Sequence, residues 1–79
     1  MMLESYKSAK KYHDEAIAVE DAEVRKTFKE LAMNEVIEFD RLSYIYEHKS
    51  APNTGDHDYW LHHFKGEMAE LRKQVGEIN

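Results

Sequence analysis

Cysteine is absent from this 79-residue chain, which removes disulfides and thiolate metal sites and leaves the redox compartment unmarked. One proline and three glycines leave few places where a helix must stop. A positive excess is also missing: 11 Lys and Arg stand against 16 Asp and Glu, for a formal charge of −5. Nucleic-acid surfaces need a clustered positive stripe, and anionic lipid attracts basic segments, so neither is an expected partner. The longest apolar run, Ala16-Ile17-Ala18-Val19, falls far short of the ~20 residues that span a bilayer. Met1-Met2-Leu3-Glu4 lacks the basic region and apolar run of a signal peptide. By default these absences point to a soluble, cytoplasmic protein. There is also no Gly-rich phosphate loop and no G-x-S-x-G, which argues against a stand-alone hydrolase or transferase.

What remains is rich in Ala, Glu, Lys, Leu and Met, the strong helix formers. A chain this short makes one domain and buries only about 60% of its unfolded surface. The pattern predicts an all-α, three-helix bundle over residues 1–79, with helices at about 3–20, 22–48 and 56–77. In the first helix the main apolar stripe is Met2, Tyr6, Ala9, His13 and Ile17, with Tyr12, Ala16 and Val19 as a narrower second stripe. Asp21 is the expected N-cap of the second helix, with Glu23 in its first turn. No Gly or Pro marks this junction, so a continuous helix through residues 18–24 also fits; a tight turn is the reading adopted.

The second helix carries Val24, Phe28, Leu31, Ala32, Phe39, Leu42 and Tyr46 on one face, and Met33, Ile37 and Tyr44 on nearly the opposite one. A helix with two apolar stripes is usually covered on two sides. Lys49 to Asp56 contains Pro52, Asn53, Thr54 and Gly55 and reads as the one obvious loop. The third helix presents Trp60, Phe64, Met68, Leu71, Val75 and Ile78 on one face, with Gly66 on the outer side.

Two glutamates interrupt this patterning. At about 100° per residue, Glu35 falls within roughly 20° of the centre of the Val24–Tyr46 stripe, and Glu38 lies on its edge. A carboxylate facing a core is costly unless paired, protonated or metal-bound. His13 lies near the centre of the first helix's stripe, within one turn of Glu35 if the two helices form an antiparallel hairpin. Glu35, Glu38 and His13 are the candidate metal ligands; the alternatives are that Glu38 reaches solvent while Glu35 bonds a tyrosine, lysine or His13 of a neighbouring helix, or that a buried carboxylate specifies register or assembly. His57, His62 and His63 lack ligand spacing and read as the polar start of the third helix, and His48 as a charge near a helix C-terminus. Ser43 sits on the apolar side of the second helix, where a hydroxyl can bond back to the chain.

The stretch from Asp21 to Leu42, with Phe28, Leu31-Ala32, Glu35 and Glu38 in order, resembles the second helix of rubrerythrin-type ferritin-like proteins. Tyr12 is similar to an aromatic of that family's first helix. The resemblance covers roughly residues 6–46, half of a four-helix bundle. It implies that Glu35 stands at a metal-ligating glutamate and that Glu38 replaces the histidine of the family's E-x-x-H. It also implies that a complete site is built by pairing two hairpins. The family's first-helix glutamate has no evident counterpart.

The expectation is a small, non-catalytic helical interaction module without a cofactor, forming a homo-oligomer through Met33, Ile37 and Tyr44. The alternative is a ferritin-like di-metal carboxylate protein holding iron or manganese across a dimer seam.

Overall fold

The computed structural model describes the backbone of residues 2–48 and 55–79 and the side chains of residues 4–45 and 63–79. Three helices follow one another: α1 (Met2–Ala18), α2 (Ala22–His48) and α3 (Gly55–Gly76). They form an all-α bundle. Of the loop predicted over Lys49 to Asp56, Gly55 and Asp56 already belong to α3, and residues 49–54 lie outside the described residues, as do the Tyr46 and Trp60 side chains.

The junction at residues 19–21 is a tight turn, closed without Gly or Pro. Asp21 Oδ1 accepts the backbone N–H groups of Glu23 (2.9 Å) and Val24 (3.0 Å), capping α2 as its sequence position implies. Arg25 reaches back, and its Nη2 donates to the carbonyls of Val19 (2.8 Å) and Glu20 (3.5 Å). One residue thus satisfies two carbonyls of the turn that follows α1.

Burial in each helix follows alternating steps of four and three residues. In α1 the core positions are Ser5, Ala9, Tyr12 and Ala16; in α2 they are Ala32, Val36, Phe39 and Ser43; from α3 come Phe64, Met68, Leu71, Val75 and, just past its end, Ile78. That spacing averages 3.5 residues and is the period of helices packed nearly parallel to one another. Small side chains dominate the buried face of α1, where Ser5, Ala9 and Ala16 are at most 5% exposed. They let α1 and α2 approach closely, and α1 packs more extensively on α2 than on α3. The volume comes from the other two helices: Phe39, Met68, Val36 and Val75 are the largest fully buried side chains.

Cross-helix pairs define the topology. Tyr12 lies on Phe28, with ring centroids 6.3 Å apart, in an antiparallel α1–α2 hairpin. Tyr6 packs on Phe64 at 4.8 Å, Lys29 Nζ donates to the Ile78 carbonyl at 2.7 Å, and Arg72 pairs with Asp40. So α3 runs antiparallel to α2 and in the same direction as α1, an up-down-up bundle of 44 × 18 × 16 Å. The long dimension is that of α2 itself, whose 27 residues at 1.5 Å rise extend about 40 Å.

Two expected faces are rotated. In α2 the buried arc centres on Ala32, Val36 and Phe39, roughly 60° from the predicted stripe at 100° per residue. Val24 and Leu31 are consequently exposed, at 41% and 37%. In α1 the supposed secondary stripe faces the core: Ala16 is fully buried, Tyr12 packs against the core and Val19 is half-buried. Ile17, assigned to the main stripe, is 62% exposed. The cause is common to both: α1 offers its smallest residues to the seam, and α2 turns until Val36 meets them.

Candidate interaction surface

Alpha-helix α2 is flanked by α1 on one side and α3 on the other, which leaves its third side to solvent. On that side Ile37 (42% exposed), Tyr44 (54%) and Ile45 (42%) come together. With Asp40 and Arg41 they line one shallow depression of 450 Å³. The positions 37, 41, 44 and 45 follow i, i+4, i+7, i+8, the spacing of a single helix face. Ile37 and Tyr44 were the residues expected on the far face of this helix. Met33, grouped with them, is half-buried and packs against the core, so it is largely taken up within the chain. Ile45 and Arg41 were not anticipated, although that spacing contains them. Ile17, Val24 and Leu31 are also exposed large apolar residues. Singly exposed apolar residues are ordinary.

The predicted metal ligands do not converge within the chain. With Val36 at the centre of the buried arc, Glu35 is only half-buried at its margin and Glu38 is exposed. His13 belongs to a different place, a 210 Å³ groove between α1 and α3. There it is lined up with Tyr6, Lys10, Asp14, Glu67 and Glu70, and its Nδ1 lies 3.2 Å from Asp14 Oδ1. Among the described residues no group of three His, Cys, Asp or Glu side chains is arranged to hold a metal ion.

In the same groove the Tyr6 hydroxyl donates to the Glu67 carboxylate. Burial raises the Tyr6 pKa above 10.0, and the Glu67 charge and the hydrogen bond push it the same way. This ties α1 to α3 near the Tyr6–Phe64 contact and is structural in character. On the other flank of α3, Phe39, Ser43 and Met68 line a 330 Å³ crevice across which Arg72 reaches Asp40. The Ser43 Oγ is buried there with no hydrogen-bond partner, so the bond back to the chain expected of it is not made.

No family model, no curated protein and no solved structure matches this chain. Among the described residues no helix is long and apolar enough to cross a membrane. The fold defines a class, a small all-α three-helix bundle.

Proposed function

We propose that the chain is a non-catalytic helical interaction module whose partner is a second copy of itself, bound through Ile37, Tyr44 and Ile45. One observation carries this reading: the three large apolar side chains meet in a single depression on a side of the central helix that, among the described residues, is left uncovered. Contiguous exposed apolar surface of that kind marks interaction sites. Small size adds to it, because a domain of this length buries too little apolar surface to be generously stable alone. The resemblance of residues 6–46 to a ferritin-like half-bundle points the same way, since such hairpins complete themselves in pairs. In this reading the hairpin is retained for assembly without di-metal chemistry.

Sedimentation equilibrium tests it. The unmodified chain should be larger than a monomer at tens of micromolar, and Ile37→Asp should be a monomer of undiminished helicity. A monomeric parent would refute the reading.

A further inference from the structure

The depression on α2 holds its acid and its base on opposite flanks of an apolar line. At 100° per residue, Ile37 and Tyr44 share one line along the helix, about 20° apart. Asp40 lies about 50° to one side of that line and Arg41 about 50° to the other. Two copies that meet along this line have two symmetric ways to do so. A two-fold axis perpendicular to the helices gives an antiparallel pair and keeps each flank on its own side. Asp40 then stands beside the partner's Asp40, and Arg41 beside the partner's Arg41. A two-fold axis parallel to the helices exchanges the flanks, so Asp40 of each chain stands beside the partner's Arg41. Both arrangements bury the same apolar residues, and only the parallel one is self-complementary in charge.

On the reading of this face as a self-association surface, we propose that two chains pair through parallel, in-register α2 helices along the Ile37–Tyr44 line. Ile37 packs on the partner's Ile37 and Tyr44 on the partner's Tyr44, at the seven-residue repeat of a parallel two-stranded seam. Asp40 bonds the partner's Arg41 on both flanks. Ile45, one turn after Arg41, borders that flank on its outer side. Seven residues before Ile37 the line reaches Glu30, and Lys26 one turn earlier supplies a counter-charge, so the seam ends there in polar residues. Like charges facing each other select against the antiparallel pair. The parallel dipoles of the two α2 helices are offset within each chain by α1 and α3, which both run opposite to α2.

Asp40 is already paired with Arg72 of α3 in the single chain. A carboxylate has two oxygens and accepts from two guanidinium groups, so the partner's Arg41 adds to this bond and does not displace it.

Because the chain has no cysteine, single introduced thiols report the register without ambiguity. Ile37→Cys and Tyr44→Cys each place a thiol opposite its own copy in the parallel pair, within reach of a disulfide. Mild oxidation, at a concentration where each variant sediments as a dimer, should link each one to itself. In an antiparallel pair Cys would face the other position, and links would form only in a mixture of the two variants. Arg41→Asp sets Asp beside the partner's Asp40 and should weaken the dimer roughly tenfold or more at low salt. Mixing it with an equal amount of the Asp40→Arg chain restores opposite charges on both flanks and should recover most of the parent affinity. Links confined to the mixed thiol variants, or dimeric thiol variants that do not link at all, overturn the parallel register. So does an Arg41→Asp variant as tight as the parent, or a charge mixture as weak as Arg41→Asp alone. Throughout, Ile37→Asp reports on the self-association reading separately: a parent dimer that it disrupts keeps that reading even when the register fails.

Discussion

Val36 and Glu35 are neighbours in sequence, and the difference between them is about 100° of helix rotation. That angle decides whether α2 buries a carboxylate or an aliphatic side chain. With Val36 at 1% exposure in the seam, Glu35 is set at the margin, where water reaches it and burial exacts no large cost. The polar atom that is left without a partner is instead the Ser43 hydroxyl. Ser43→Ala removes an unsatisfied buried group and improves helix propensity, so it should stabilise the chain by about 1 kcal/mol. Denaturant unfolding checks this, and a loss of stability would mean that the hydroxyl is bonded in solution. Tyr6 governs behaviour at the alkaline end. Its pKa is raised on folding, so the folded chain holds the phenolic proton more tightly than the unfolded chain does. The stability this represents is complete below pH 10.0 and is lost as the pH climbs through and beyond that value. Thermal melts across that range should show the Tyr6→Phe variant losing stability less steeply than the parent; identical slopes would discount the Tyr6–Glu67 contact.

At the scale of the helices, α3 is an integral part of the core. Phe64, Met68, Leu71, Val75 and Ile78 are all buried, at most 7% exposed, and Phe64 lies against the Tyr6 ring of α1. Truncating Phe64 to Ala should cost about 3–5 kcal/mol, the usual range for a buried aromatic. Small domains have only about 5–15 kcal/mol in all. The variant should therefore show a steep fall in its denaturant midpoint, and a midpoint unchanged from the parent would make α3 peripheral. The α1–α2 hairpin depends on different chemistry. Its turn is held by Asp21 at the start of α2 and by Arg25 bonding carbonyls of the turn itself.

For the molecule as a whole, the central helix is the longest element. Its uncovered side presents Ile37, Tyr44 and Ile45. Association of folded chains stabilises them by mass action, so the proposed self-association makes the melting temperature depend on protein concentration. Tm should rise as the parent is concentrated and stay constant for Ile37→Asp. A parent Tm that does not change with concentration would count against association confined to the folded chains. The −5 formal charge works against close approach of two copies.

The local features of this chain were legible in its residues. Helix α2 spans Ala22–His48 as its apolar recurrence and the Asp21 cap imply, and the other two helices begin and end within one or two residues of expectation. Capping and helical periodicity depend on neighbours a few positions away, so one strand of text contains them. The docking face of α3 was legible for the same reason, because its apolar residues form one clean stripe. The rotation of α1 and α2 was not. Each of these helices has apolar residues on more than one arc, and a change of one position swings a side chain by about 100°. What settled the choice was fit between elements: the small Ser5, Ala9 and Ala16 of α1 had to meet bulk supplied by Val36, Phe39 and Met68. The candidate surface divides along the same line. Ile37 and Tyr44 were visible as a second stripe, whereas the partial burial of Met33, the exposure of Ile45 and the joining of Asp40 and Arg41 to the face were decided only when α1 and α3 took their sides of α2. Apolar content is a property of residues, but exposure is a property of what else is packed beside them.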